Sequence, residues 1–274
     1  MISDLHIQTA LRGQVTFFKK AYFTPPFKVA NITEDKQSHR LHLMIMNSSP
    51  GVLDEDKYQM KIELSEKCSL QLHTQSYQRL FAMKKNASQT MEVQQAPSSS
   101  FCFLPHPVVP HETSDFSSKN KIFLTEDCSL IWGEVLTCGR KLSGEVFMFS
   151  KYKSLTEIFI NDKLVIRENL LIQPSFISVT AIGQMEGYTH QATLICLDEK
   201  MQIKNLIKKI NDYLSVHTQM AFGITTAPVN GFIVRLLGEK AEQLYDCLKW
   251  ISLQVQQTNK QKSKVNNAVA IVDL

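Results

Sequence analysis

A two-residue alternation of apolar and polar side chains, repeated on both sides of short polar breaks, constrains this chain more than any other feature. Met60, Ile62 and Leu64 alternate with Lys61 and Glu63. After Ser65-Glu66-Lys67 the alternation resumes at Cys68, Leu70 and Leu72. Successive side chains of a strand point to opposite faces, so each run reads as a strand with one buried face and the break reads as a turn. The pattern recurs: Leu64-Ser65-Glu66-Lys67-Cys68-Ser69-Leu70 resembles Leu124-Thr125-Glu126-Asp127-Cys128-Ser129-Leu130. Between them, Met91-Glu92-Val93 leads through Pro97 and Ser100 to Phe101-Cys102-Phe103. Three strand-turn-strand units thus follow one another at about 30-residue spacing, within the range of repeat architectures. One unit cannot bury a face alone, so the units must stack. The expected body is mostly β, either coiled like a β-helix or folded as a twisted double sheet.

Further strands are expected at Leu130–Val135, Glu145–Phe149, Glu157–Ile160 and Lys163–Arg167, the last two joined by an Asn161-Asp162 hairpin turn. The character changes near Thr189–Leu197. Met201, Leu206, Ile207, Ile210, Tyr213 and Leu214 carry helical spacing. Strands at Gln219–Thr226 and Gly231–Leu237 flank a Pro228–Gly231 turn. Glu239–Gln257 then predicts an amphipathic helix with Leu244, Cys247, Leu248, Ile251 and Val255 on one face and Glu239 suited to the N-terminal dipole. The expected organisation is one continuous domain over 1–274. A β body runs to 197, a helix-hairpin-helix layer with two α-helices covers 198–258, and a basic tail covers 259–274.

With 43% hydrophobic and 20% charged residues among 274, the chain can bury a sizeable core. A net charge of +4 is too weak and too scattered for nucleic acid, and Lys260, Lys262 and Lys264 read as a solvated end. No apolar run approaches the ~20 residues needed to cross a bilayer, and the first residues lack the basic and apolar segments of a signal peptide. A cytoplasmic protein away from membranes is expected. The cysteines Cys68, Cys102, Cys128, Cys138, Cys196 and Cys247 form no Cys-x-x-Cys pair and read as reduced thiols. Cys68, Cys102 and Cys128 fall at similar places in the repeated units. They read as small buried hydrophobes, because one soft ligand per layer does not make a tetrahedral site.

No phosphate-binding glycine loop, zinc-protease motif or nucleophile elbow occurs, so no enzymatic activity and no tightly bound cofactor is expected. His106-Pro107-Val108-Val109-Pro110-His111-Glu112 places three potential metal ligands, His106, His111 and Glu112, in one short segment. Its prolines extend the chain and nothing converges the imidazoles, so a surface loop is the plainer reading. His39 and His42 face opposite sides of a strand, and His6, His73, His190 and His217 stand isolated. Asp54, Glu55 and Asp56 read as a solvated acidic loop. Glu134 and Glu145 flank Cys138-Gly139-Arg140, either as strand residues around a turn with one paired to Arg140, or as the lining of a polar pocket.

The ordered set of segments is more specific than any one of them. Ser49-Pro50-Gly51-Val52-Leu53-Asp54-Glu55-Asp56 is followed by Thr74-Gln75-Ser76 and Phe81, then by Leu104-Pro105-x-x-Val108-Val109-Pro110 and Asp115-Phe116. Next come Glu134-x-x-x-x-Gly139-Arg140-x-x-x-Gly144-Glu145-x-Phe147 and Gly231-Phe232-Ile233-Val234-Arg235-Leu236-Leu237-Gly238, and then a helix containing Trp250. In order and spacing these resemble the UreD family of urease accessory proteins, called UreH in some organisms. Val52 and Glu55 stand where that family has glycines, and His111 where it usually has an aromatic residue. The resemblance implies a mostly-β fold with two helices. It also implies a scaffold that binds apo-urease, UreF and the GTPase UreG, which uses GTP, while nickel passes to the urease active site through an internal tunnel. Asp56, Thr74, Gln75, Glu134, Arg140 and Glu145 match motif positions and are the candidates for lining the tunnel or pinning its walls. The rival readings are a nickel-storing metallochaperone using His106, His111 and the cysteines, and a β binding protein unrelated to urease.

Overall fold

The computed structural model describes the backbone of residues 1–272 and the side chains of residues 1–258, so the side chains of the expected basic tail lie outside it. The chain runs through β1 (Ile2–Arg12), β2 (Val15–Phe23), β3 (Phe27–Asn31), β4 (Arg40–Asn47), β5 (Lys57–Leu64) and β6 (Ser69–Thr74). It continues through β7 (Gln78–Leu80), β8 (Ala87–Gln95), β9 (Ser100–Phe103), β10 (Val108–Pro110), β11 (Asp115–Leu124) and β12 (Ser129–Leu136). Next are β13 (Lys151–Ile160), β14 (Lys163–Ile172) and β15 (His190–Asp198). The C-terminal part holds α1 (Ile203–Ser215), β16 (Ala221–Thr226), β17 (Gly231–Gly238) and α2 (Ala241–Val272).

Both expected images of the β body hold at once. From β4 onward the chain winds in coils, placing one strand in each of two sheets per coil. One sheet has the order β14-β13-β11-β8-β5-β1-β2, and the other has β16-β17-β15-β12-β9-β6-β4-β3 with β10 and β7 beside β12. Within the first sheet β1, β5, β8, β11 and β13 are parallel neighbours, and within the second β4, β6, β9 and β12 are. Antiparallel strands close the edges. The sequence repeat is the coil itself: Leu64 pairs with Gln95 and Gln95 with Leu124, while Leu70 pairs with Phe101 and Phe101 with Leu130.

Alternation makes two cores. Inward residues such as Leu5, Ile7, Ile62, Leu70, Val93, Ile122 and Ile158 fill the space between the sheets. A second core lies between the outer face of the second sheet and the helices. It includes Leu194, Cys196, Phe232 and Val234 with Leu206, Ile210 and Leu214 of α1 and Leu244, Leu248, Ile251 and Val255 of α2. β15 and β17 are thus buried on both faces, which explains why they read as continuous apolar runs. Each large side chain so buried stabilises by roughly 1.5–3 kcal/mol. Tyr213 and Trp250 stack at 3.8 Å and tie α1 to α2.

Three expectations need correction. Glu145–Phe149 is a loop and not a strand, because Gly144 (φ 84) and Phe147 (φ 55) take left-handed conformations that break an extended chain. Cys102 does not share the position of Cys68 and Cys128: it pairs with Gln71 and Ile131 and faces α2, whereas the other two face the inter-sheet core. The second helix continues past Gln257 to Val272.

Candidate functional site

Parallel coils bring the ends of β4, β6, β9 and β12 and the starts of β5, β8, β11 and β13 to one end of the sandwich. Every loop that carries a candidate residue other than Glu134 lies there. Inside, two cavities share four wall residues: Trp132, Glu134, Tyr152 and Ser154. The first, of about 140 Å³, reaches the loop end at Ser49–Gly51, Thr74–Gln78 and Pro105-His106. The second, of about 150 Å³, reaches the sheet edge, where Glu168 of β14 and Arg235 of β17 enter its wall with Gln191 and Thr193.

Glu134 stands between the cavities. Its carboxylate accepts hydrogen bonds from Trp132 Nε1 (3.0 Å), Ser154 Oγ (2.9 Å), Thr156 Oγ1 (2.9 Å) and Asn120 Nδ2 (3.4 Å). All four donors are neutral, and among the described residues Glu134 makes no ion pair. The donors come from register. β11 and β13 pair in parallel with Ser118 beside Ser154 and Asn120 beside Thr156, all on inward positions. Ser118 donates to Ser154 (3.1 Å), and Asn120 also donates to Thr156 Oγ1 (3.0 Å). Burial, and then the Glu134 charge, push the Tyr152 phenol well above its ordinary pKa.

The other candidates divide. Thr74 and Gln75 line the first cavity. Thr74 Oγ1 accepts the His106 amide (2.8 Å) and pairs with the His106 ring at 3.1 Å. Asp56 lines neither cavity. It is buried and accepts the Leu53 amide (2.9 Å), with the N-terminal amine at 3.2 Å. Asp54 accepts the Lys84 and Lys85 amides (3.1 and 3.0 Å), so the acidic loop is a built turn rather than a solvated one. Arg140 and Glu145 form an ion pair outside both cavities, and Glu145 also accepts the Glu112 amide at 3.2 Å. The Arg140 hydrogen bonds hold Glu145 below the usual carboxylate range. This pair pins the 137–150 loop to the 111–114 loop.

His106 sits between Tyr77 and Tyr245, and His111 packs on Phe81 at 4.8 Å as an aromatic residue would. Burial lowers the pKa of both. Glu112 enters through its backbone. Among the described residues no group of three His, Cys, Asp or Glu side chains is arranged to hold a metal ion. His42 and His73, which read as unconnected, are neighbours across β4 and β6 with ring nitrogens 3.4 Å apart. Burial, followed by the facing His42 and His106, pushes His73 down to about 4.

A protein-family model described as UreD urease accessory protein matches residues 2–268. The chain belongs to the UreD family. It is 46% identical over 252 residues to the urease accessory protein UreD of Flavobacterium johnsoniae, covering 92% of this chain and 91% of that protein. Its identity to the UreD of Acetivibrio thermocellus is 32% over 250 residues (91% and 95%), and to that of Haemophilus influenzae 33% over 257 residues (89% and 95%). Membership removes the reading of an unrelated β binding protein. Among the described residues, no helix is long and apolar enough to cross a membrane.

Motif reading missed Asn120, Trp132, Ser154, Thr156, Glu168 and Arg235 as wall residues. For four of these a signal existed. The inward positions Phe116, Ser118, Asn120, Ile122 and Tyr152, Ser154, Thr156, Ile158 each hold two polar residues among apolar ones. Buried polar groups need partners, so matching polar breaks in two neighbouring strands mark an internal polar feature. Trp132 and its donor N–H belong to the same feature, two residues from Glu134.

Proposed function

We propose that this chain is a non-catalytic, cytoplasmic scaffold of urease maturation. In this reading it binds apo-urease together with UreF and the GTPase UreG, and nickel passes through its interior toward the urease active site. The names carried by its relatives support the urease role. The observation that carries the nickel route is Glu134: a carboxylate between two cavities, oriented by four neutral donors and, among the described residues, without a cationic partner. A cation in transit needs oxygen ligands and water that bind it weakly enough to release it. A closed cage of imidazoles and thiolates would hold nickel too tightly to pass it on. Thr74 and Gln75 then line the loop end of the route, and Asp56, Arg140 and Glu145 pin the loops around it.

Glu134→Ala tests the reading, with Glu134→Gln as the isosteric control. Both variants are expected to assemble with UreF, UreG and apo-urease at wild-type levels. The nickel content of the matured urease is expected to fall several-fold in both. Full nickel content would remove Glu134 from the route. Stoichiometric, submicromolar nickel binding by the isolated wild-type chain would mark a metal store instead.

A further inference from the structure

The wall of the second cavity contains one ion pair, at the sheet edge. Arg235 of β17 and Glu168 of β14 bond to each other across the gap between the sheets, and both belong to the cavity wall. No backbone ladder joins β14 to β17, so side chains close this side of the sandwich. The pair's side chains are 51% and 30% exposed, and an ion pair so placed contributes little to stability. Its effect on the cavity is larger. Apart from these two, the one carboxylate or cationic side chain in the described wall is Glu134, and Thr156, Asn169, Gln191 and Thr193 carry no charge. In the closed pair the Arg235 guanidinium cancels the Glu168 carboxylate and leaves Glu134 as the one uncompensated charge inside.

We infer that the Arg235–Glu168 pair is a charge gate at the sheet-edge mouth, admitting divalent cations when it opens. The proposal rests on the reading of the cavities as a nickel route. With the pair closed, the guanidinium covers the mouth and repels a dication. With it open, Glu168 is the first oxygen ligand that an incoming hydrated ion meets and Glu134 the second. The arrangement gives the two partners opposite roles. Without Arg235, two carboxylates face one cavity and retain the ion. Without Glu168, an unpaired guanidinium excludes it.

The test uses the full-length chain and nickel chloride in equilibrium dialysis, with thermal unfolding to check the fold. Arg235→Met is expected to tighten nickel binding about tenfold or more, and Glu168→Gln to weaken it by a similar factor. The exchanged pair, Arg235→Glu with Glu168→Arg, is expected to return toward the wild-type value. A purely structural pair would move both single variants the same way, in step with lost thermal stability. That result, or unchanged nickel binding in both, overturns the gate. In the second arm, urease is matured with each variant and its nickel measured. Both single variants are expected to lower it, one by trapping the ion and the other by excluding it. If dialysis shows the opposite shifts while urease nickel stays full, the gate stands as a cation site and the delivery route falls.

Discussion

Glu55 holds a left-handed backbone conformation (φ 64) in the turn that seats Asp56. Side chains with a Cβ resist this region and glycine does not, which gives a physical reason for the glycine that the family resemblance leads one to expect there. The turn holds with Glu55 in this conformation because Asp56 accepts the Leu53 amide and the Glu55 amide reaches Asn86 O (3.0 Å). Glu55→Gly is therefore expected to stabilise the chain by about 1 kcal/mol, raising Tm by roughly 2 °C in a thermal melt. A lower Tm would show that the conformation is not strained. At the same scale, His73 predicts a pH dependence. Its folded pKa of about 4 lies below the ordinary histidine value, so the unfolded chain binds more protons between the two. Its contribution to stability is complete above about pH 6.5 and is lost as the pH falls toward 4. His73→Gln is expected to flatten that part of a Tm-against-pH curve, and an unchanged slope would assign it to other groups.

The helices are the clearest case of an element read from its own residues. Leu244, Cys247, Leu248, Ile251 and Val255 recur at helical spacing, and all five are buried against β12, β15 and β17. Leu248 is 1% exposed and Leu253 is 53% exposed. Leu248→Ala is expected to cost about 2–4 kcal/mol in denaturant unfolding, and Leu253→Ala less than about 0.5 kcal/mol. Equal effects would contradict the placement of the apolar face. The same local logic failed at Glu145–Phe149, where Glu145, Phe147 and Phe149 alternate as a strand would. There the left-handed Gly144 and Phe147 and the ion pair of Glu145 with Arg140 impose a loop. Short alternations are weak evidence beside a glycine that can turn the chain.

For the whole molecule, the decisive feature is a stack of parallel coils. It carries the motif loops to one end, and it aligns polar inward residues around Glu134, in the wall that two cavities share. The expected loss of urease nickel in Glu134→Ala and the expected opposite shifts in Arg235→Met and Glu168→Gln belong to this scale, because each depends on groups that only the stacked sheets bring together.

The sequence by itself determined the alternation, the coil repeat, the two C-terminal helices and the family, because each is written in neighbouring residues or in ordered short segments. The family resemblance also singled out Asp56, Thr74, Gln75, Glu134, Arg140 and Glu145 as lining or pinning residues, without saying which of them meet a cavity. Only the tertiary structure decided that Ser154 and Thr156 serve Glu134, that His42 meets His73, that Asp56 holds a turn outside the cavities, and that Arg235 meets Glu168. Those contacts depend on which strands pair and in which register. Register is fixed by packing between segments 20 to 67 residues apart in these contacts, and a pattern read along the chain does not carry it.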